Sequence, residues 1–299
     1  MSLTISREEE CWLKLSLVKT LDVPVLLAAI RRVGDVGDFF ELSFANLVDV
    51  VGLEAARELQ MIKTSSEVER WREWLIGNEH VGFLTLTHSL YPQLMIEAGI
   101  APLVLWYRGE IEQLKKPILT VSGCSHPDAD SLYNADIFGD VLGSQSRVLL
   151  STGLNSEIEV TFVKSVLRRS EASILAWMPC GLDRVWPSFA KPLVDKILDN
   201  KGVILSACPP GERTTSEERE KANVLRVAST KALFVICANR TSSVIKMAQL
   251  AANLGRDVMA LPGSIHSPLH KGCHLLIKQG AKLVETADEI LTEFSSSTC

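Results

Sequence analysis

Small hydroxyl residues and glycines follow five of the apolar runs that the sequence predicts to be buried strands. Ser122-Gly123 and Thr152-Gly153 end two of these runs, and Pro262-Gly263 ends another. Such residues let a ligand approach the backbone, and their N–H and O–H groups can donate hydrogen bonds to a phosphate. One such residue is equally typical of a helix cap or a tight turn, but five sets together predict an anion-binding edge. The candidates are Ser122, Gly123, Thr152, Gly153, Ser242, Ser243 and Gly263.

The stretch 257–284 concentrates this pattern. A short apolar strand leads into Pro262-Gly263, a polar loop follows, and Gly272 precedes a helical pattern. In open α/β sheets, ligands bind at the carboxyl ends of the strands. A helix N-terminus beside a glycine also leaves N–H groups free for an anion. We therefore expect an anion site here.

Recognised catalytic motifs are absent from the sequence, which contains no GxGxxG, GxxxxGK[ST], GxSxG or HExxH pattern. Four residues have roughly the spacing of metal ligands, but Pro268 and Gly272 interrupt the helix that would align them. These four are His266, His270, Cys273 and His274. Cys124 lies near a predicted helix start, where a thiol pKa can fall, yet no base accompanies it. We expect no catalytic residue, no metal site and no cofactor, and therefore a protein that is not an enzyme.

From residue 118 onward, apolar β-branched runs alternate with segments of helical length. Each run is apolar on both faces, which is typical of parallel strands covered by helices. This alternation predicts an α/β fold, a Rossmann-like, doubly wound domain with a mostly parallel sheet. The predicted strands are 118–123, 148–153, 173–179, 202–208, 232–238 and 257–263, and the predicted helices are 129–142, 157–169, 189–200, 216–229 and 242–254.

The first 78 residues follow a different pattern. Apolar residues recur at helical spacing between turns, which predicts a small helical module of the sterile-alpha-motif or helix-hairpin kind. Such modules bind the DNA backbone in some proteins and partner proteins in others, and we favour a contact or scaffolding role. The predicted division is a helical module (1–78), an extended bridge (79–115) with strand-like runs at 81–86 and 103–109, the Rossmann-like domain (116–295) and a tail (296–299).

The composition predicts a cytoplasmic protein. The seven cysteines form no CxxC pair and several lie in strand-like runs, so we expect buried free thiols. We see no signal peptide and no apolar run of membrane-spanning length. The net charge of -5 argues against coating nucleic acid by bulk charge. Residues 212–282, however, carry eleven basic and five acidic residues, which gives this segment a net charge of +6 against -11 for the rest of the chain. The segment could therefore hold an anion. The alternative is that its charges are scattered and solvated.

The order of motifs resembles the DNA-processing protein A family, also called DprA or Smf, over nearly the whole chain. The matching segments are HSLYPQLMIEAGIAPLVLWYRG (88–109), STGLNSEIE (151–159), Gly181-Leu182-Asp183 with Trp186-Pro187, ILSACPPG (204–211) and, most closely, ALPGSIHSPLHKGCHLLIKQGAKLV (260–284). The resemblance implies a Rossmann-like domain that binds single-stranded DNA, usually as a homodimer. Members protect incoming strands and help to load a RecA-type recombinase during natural transformation.

On this resemblance, DNA would be held by electrostatic contact with its backbone and by base stacking. The basic segment would supply the contacts. The candidates are Lys221, Asn223, Arg226, Lys246 and Lys271, with Gly272 beside them and with Arg213 and Arg240 as outer possibilities.

The sequence departs from the family at the strand ends. The family's Val-Gly-Ser-Arg reads Val121-Ser122-Gly123-Cys124 here, and its Glu-Ala reads Cys237-Ala238. The family's Phe-Pro-x-Arg-Asn-Arg aligns with residues 218–223, where Lys221 alone keeps the charge of its counterpart. Fewer arginines imply weaker DNA binding with less salt dependence.

Two other hypotheses remain open at this stage. In the first, the fold persists while the protein acts through contacts with partner proteins and binds little DNA. In the second, the chain is a nucleotide-binding Rossmann protein, although the glycine-rich phosphate loop and the catalytic glutamate of such proteins are not visible.

Overall fold

Short, individually capped helices form the amino-terminal module. The structure is a computed structural model that describes residues 5–169 and 173–296, with side chains up to residue 294. The helices are α1 (Arg7–Leu15), α2 (Val23–Val33), α3 (Val36–Glu41), α4 (Phe44–Val51), α5 (Leu53–Ile62) and α6 (Glu67–Ile76). Ser6 caps α1 with a capping box, Ser43 caps α4, and α2 ends at Gly34, whose φ of 131° breaks the helix. The helical prediction for this part is confirmed.

A single nine-stranded sheet organises the rest of the chain. Its strands are β1 (Val81–Thr85), β2 (Val104–Gly109), β3 (Ile118–Ser122), β4 (Leu149–Thr152), β5 (Ser173–Trp177), β6 (Val203–Ser206), β7 (Ala232–Val235), β8 (Asp257–Ala260) and β9 (Lys282–Leu283). They lie in the order β1-β2-β6-β5-β4-β3-β7-β8-β9. All six strands predicted from the apolar runs are present, and β9 is an addition to them.

Helices connect the strands and cover both faces. They are α7 (Gln93–Glu97), α8 (Ala129–Leu142), α9 (Glu157–Val166), α10 (Lys191–Asp199), α11 (Ser216–Ser229), α12 (Ser243–Asn253), α13 (Lys271–Lys278) and α14 (Ala287–Ser296), with 3₁₀ turns at Ile111–Lys115, Ser188–Ala190 and Pro268–His270. One core contains side chains of α8, α9, α10 and α14, and the cores on the other face contain those of α7, α11, α12 and α13. The doubly wound prediction is therefore confirmed.

The strand order reverses between β3 and β7. The chain leaves β3 for β4, β5 and β6 on one side, and α11 returns it to β7 on the other side, parallel to β3. Loops diverge at such a switch point and leave a crevice at the carboxyl ends of the strands. The first turn of α11 and the first turn of α12 follow β6 and β7 at this edge.

The two strand-like runs of the bridge predicted for residues 79–115 are present as β1 and β2. β1 pairs antiparallel with β2, and β2 pairs antiparallel with β6, so this segment belongs to the sheet. The apolar runs were recognisable, but their partner β6 lies about a hundred residues away along the chain, and no local pattern specifies such pairing. The tail predicted at 296–299 begins with the last residue of α14, and residues 297–299 lie outside the described residues.

Aromatic side chains pack between the helical module and the sheet. Trp106 of β2 is buried, and its ring contacts Trp71 and Trp74 of α6 edge-on, at centroid distances of 5.4 and 6.2 Å. Phe83 of β1 lies 5.6 Å from the same ring. The helical module and the sheet therefore share one core. Within the described part of the chain, we find no helix with the length and apolar character needed to cross a membrane.

We predict that Trp106→Ala lowers the free energy of unfolding by about 3–5 kcal/mol, because it leaves a cavity between the helical module and the sheet. Urea denaturation followed by circular dichroism measures the loss. Met61→Ala is the control, since Met61 is an exposed residue of the same module. A loss below about 1 kcal/mol for Trp106→Ala would mean that the two parts are stable independently.

Candidate functional site

A buried ion pair lies beneath the carboxyl edge of the sheet. Arg226 of α11 donates a hydrogen bond from Nη1 to Glu159 Oε1 of α9 over 2.8 Å, and each side chain is 1% exposed. A buried charge is tolerated only when it is paired and hydrogen-bonded. The pair joins helices that cover opposite faces of the sheet.

Glu159 also accepts hydrogen bonds from residues at or just after the ends of two strands, β3 and β4. The Ser122 hydroxyl, at the end of β3, donates to Glu159 Oε1 over 3.0 Å, and the Asn155 N–H donates to Oε2 over 3.1 Å. Gly153, at the end of β4, packs against the guanidinium, because a Cβ there would lie 2.6 Å from Arg226 Nη1. Glycine is therefore required at this position by the close approach of Arg226.

Arg226 also makes hydrogen bonds within α11 and to α12. Its Nη2 atom donates to Asn223 Oδ1 and to the sulfur of Met247, over 3.2 Å in each case. The prediction that Arg226 contacts DNA phosphate is wrong for this geometry, because the side chain is buried and its charge is neutralised by Glu159. Arg226, which was predicted to supply positive charge for DNA binding, therefore has a structural role in the site.

Three predicted residues do come together at the surface. Asn223 on α11 and Ser243 and Lys246 on the first turn of α12 line one open cavity of about 170 Å³. Ser243 and Lys246 are exposed, and Glu220 lines the same cavity with an opposing charge. The volume is below the 300–1,000 Å³ typical of pockets that enclose a small ligand. The shape suits an extended polymer that passes over the surface.

Sequence analysis missed two residues beside this cavity. The Arg219 guanidinium lies 5.5 Å above the Trp186 ring, a cation–π contact, and the Trp186 ring is half-buried. Arg219 and Asn223 line a second, smaller cleft with Gly153 and Arg226. Asn223 therefore connects the two clefts. The sequence signal that could have identified Trp186 was its position as an aromatic residue directly before Pro187. We call Trp186, Arg219, Asn223, Ser243 and Lys246 the α11 groove.

The loops after β5 and β6 are tied together beside the groove. Asp183 accepts hydrogen bonds from the Gly211 N–H over 2.9 Å and from Arg184 over 2.7 Å. Burial opposes ionisation of this carboxyl, but these hydrogen bonds outweigh it and lower its pKa. Asp183 is therefore an anchor for the loops and carries a charge at neutral pH.

Four of the predicted basic residues lie elsewhere. Lys221 is on another face of α11, where it lines a separate cavity between the helical module and the residues that precede β2. Lys271 is the half-buried first residue of α13 and lines neither cleft of the α11 groove. Arg213 and Arg240 are exposed in the loops after β6 and β7. None of these four lines the cavity that Lys246 lines.

Most of the small residues predicted to form an anion-binding edge have internal partners. Thr152 Oγ1 accepts the N–H of Leu154, Ser242 Oγ accepts the N–H of Val244, and Gly123 packs against Ile158. For these residues, the alternative of caps and turns describes the structure better. Of the small residues singled out, Ser243 is the exposed one in the α11 groove.

The predicted anion site at 257–284 also requires correction. The Gly272 N–H, expected to be free, donates to the Ala238 carbonyl over 2.7 Å, and no Cβ would fit between them. Gly263 stacks against the buried His270 ring, and its carbonyl lies 3.0 Å from His274 Nε2. Close packing therefore explains both glycines. Burial lowers the pKa of His270, so this ring is neutral at physiological pH. Among the residues with described positions, no three His, Cys, Asp or Glu side chains are arranged to hold a metal ion.

Comparison with known proteins identifies relatives. The family described as DNA recombination-mediator protein A matches residues 82–295. The DNA processing protein DprA of Streptococcus pneumoniae is 32% identical over 213 residues, which cover 70% of this chain and 73% of that protein. Protein Smf of Escherichia coli is 30% identical over 221 residues, which cover 73% of this chain and 58% of that protein.

Two solved structures share the fold. The X-ray structure of DprA from Streptococcus pneumoniae superimposes with a TM-score of 0.79 at 24% identity, covering 98% of this chain and 99% of that one. DNA processing protein A from Helicobacter pylori, whose structure describes a single-stranded DNA binding mode, has a TM-score of 0.61 at 17% identity and covers 73% of this chain and 96% of that one. At these identities the likeness establishes the common fold, including the helical module in the first case.

We predict that Arg226→Met lowers the free energy of unfolding by about 3–5 kcal/mol, because it leaves the Glu159 carboxylate buried and unpaired. The double variant Glu159→Leu with Arg226→Met should lose less than the sum of the two single variants. Urea denaturation of the three variants measures both effects. Arg169→Met, which removes an exposed partner of Asp140, is the control and should change stability little. Additive losses would contradict the role given to the pair.

Proposed function

Because the chain belongs to the DNA recombination-mediator protein A family, we propose that it binds single-stranded DNA during DNA uptake or recombination. In this proposal the protein makes and breaks no bond and acts by holding the strand. It would protect single strands and assist the loading of a RecA-type recombinase. The observation that carries the proposal is the α11 groove, an open surface at the carboxyl edge of the sheet with cationic, amide, hydroxyl and aromatic side chains.

Phosphate contacts are assigned to one end of the α11 groove. Lys246 supplies an exposed ammonium group, and the Ser243 hydroxyl lies at the N-terminus of α12, where helix N–H groups favour an anion. Asn223 accepts from Arg226 through its Oδ1 atom, so its NH₂ group is the part left to donate. The buried ion pair thus orients a donor that a phosphate oxygen can accept from.

Base contacts are assigned to the other end. Aromatic rings and guanidinium planes bind successive bases by stacking, at about 1–3 kcal/mol per base and without sequence preference. Trp186 and Arg219 already form a cation–π pair of an aromatic ring and a guanidinium group. A base at this position would extend the stack. This arrangement favours a single strand, since duplex bases are already stacked on one another.

The proposed binding has a modest electrostatic component. Lys246 and Arg219 are the basic residues of the α11 groove, and Glu220 opposes them. Each phosphate contact to a single strand contributes about -0.7 to the slope of log K against log[salt]. Lys246 is the charged side chain assigned to phosphate, so the predicted slope is about -0.7, shallower than a groove rich in arginine would give.

A second copy of the chain is the partner that we propose for α8. Tyr133, Ile137 and Val141 recur every four residues on this helix and are 66%, 41% and 37% exposed. Residues at this spacing share one helix face. An apolar stripe that packs against itself across a two-fold axis would form a homodimer.

A second candidate function is retained because of two observations. The best-placed arginine, Arg226, is neutralised inside the protein, and Glu220 lines the groove. Both observations favour a protein that acts through contacts with partner proteins and binds little DNA. Absence of any binding to single strands at low salt would select this candidate.

We predict that Lys246→Glu weakens binding to labelled oligo-dT, because it replaces a phosphate contact with a repulsive charge. Fluorescence anisotropy at several salt concentrations should show a slope reduced by about 0.7. Lys164→Glu is the matched control, since Lys164 is an exposed lysine in the last turn of α9, at the opposite edge of the sheet. A duplex of the same length should bind more weakly than the single strand. If Lys164→Glu weakened binding as much as Lys246→Glu, the α11 groove would not be the DNA-binding surface.

We predict that Ile137→Lys converts a dimer into a monomer, because a charge in the centre of an apolar interface leaves the ammonium group without water. Sedimentation velocity measures the change in mass. Met61→Lys is the control, since Met61 is exposed in the helical module, away from α8. A monomeric unsubstituted protein at micromolar concentration would refute the dimer, and a dimeric Ile137→Lys variant would exclude this face.

A further inference from the structure

Two cysteines meet at the switch point of the sheet. β3 and β7 are adjacent and parallel, and Ser122 pairs with Val235. Cys124 and Cys237 each lie two residues beyond this pair, so they project on the same side of the sheet. Their sulfur atoms are 2.6 Å apart, and the Cys124 N–H donates to Cys237 Sγ over 3.4 Å. Both thiols are free in the structure.

We propose that Cys124 and Cys237 form a redox-active pair that hydrogen peroxide converts into a reversible disulfide. Neighbouring strands lie about 4.8 Å apart, within the Cα separations of roughly 4.4–6.8 Å that disulfides require. The bond can therefore form without movement of the strands. This inference does not rest on DNA binding.

Cys237 is the sulfur that reacts first. The hydrogen bond from the Cys124 thiol lowers the pKa of Cys237, and the backbone N–H of Cys124 acts in the same direction, although burial opposes both. The same hydrogen bond raises the pKa of Cys124, as does burial. The thiolate is the nucleophile in this chemistry. Elsewhere, burial raises the pKa of Cys180 and of Cys273, the latter to about 12, which keeps these thiols protonated.

The reaction balances with one equivalent of peroxide. The Cys237 thiolate attacks one peroxide oxygen, the O–O bond breaks, and the departing hydroxide takes up the proton that Cys237 had released, giving water and a sulfenic acid. Cys124 sulfur then attacks Cys237 sulfur, the S–O bond breaks, and the thiol proton leaves with the hydroxide as a second water. Two thiols are oxidised by two electrons, and the peroxide is reduced to two waters.

A small oxidant can reach the pair from the loop that follows β3. Cys124 is 4% exposed and Cys237 is fully buried, but the next residues along the chain, Ser125 and His126, are exposed. Local opening of one short loop is sufficient. The disulfide would then link the loop after β3 to the loop after β7 across the crevice between the two halves of the sheet.

Peroxide treatment of the full chain tests the proposal. We expect the number of reactive thiols in the unfolded, alkylated protein to fall from seven to five. Peptide mapping by mass spectrometry should give a Cys124–Cys237 linked peptide that dithiothreitol abolishes. In Cys124→Ser, the second step cannot occur, so dimedone should label a sulfenic acid at Cys237. Cys180→Ser is the control and should still form the linked peptide.

Two results would overturn the proposal. One is the absence of the linked peptide in folded protein under peroxide, which needs no variant to be measured. The other is a Cys237–Cys273 link, because the chain neighbours of these two cysteines, Ala238 and Gly272, are joined by a backbone hydrogen bond of 2.7 Å. Circular dichroism of Cys124→Ser establishes that the dimedone measurement is made on folded protein.

Discussion

The site depends on one buried pair of opposite charges. Glu159 and Arg226 come from helices on opposite faces of the sheet, and their hydrogen bonds reach Ser122, Asn155, Asn223 and Met247. Each charge is acceptable in the interior only because the other is present. The pair therefore fixes the relative positions of β3, α9, α11 and α12. The α11 groove is the outer surface of that arrangement.

The sequence predicted the elements well because their signals are local. The strand at 232–238 is apolar on both faces, and 216–229 matches α11 to the residue. The pairing of β2 with β6 could not be predicted, because strand pairing depends on contacts between distant residues. The two strand-like runs of the bridge were recognisable, but their antiparallel pairing in the sheet was not.

The site was predicted only in part, for a related reason. Lys246, Ser243 and Asn223 were recognised from their residue types, and the structure brings them together. Arg226 has the same chemistry as a surface arginine, and its burial depends on Glu159, 67 positions earlier. The glycines at 263 and 272 looked like anion donors, although the His270 ring and the Ala238 carbonyl occupy their open sides. Residue type and spacing identify side chains that could bind a ligand. The burial of each side chain and its hydrogen-bond partners determine whether it is available to do so.

The aromatic contact at Trp106 bears on how this architecture can be inherited. Trp71 and Trp74 of the helical module cover a ring that belongs to the sheet, so the two parts fit each other as a matched set. Exchange of the amino-terminal helices between distant relatives would expose that ring or overfill the space around it. The helical module therefore cannot be exchanged between relatives as an independent unit. Its sequence is expected to change in step with that of β1 and β2, even though its own surface is free to diverge.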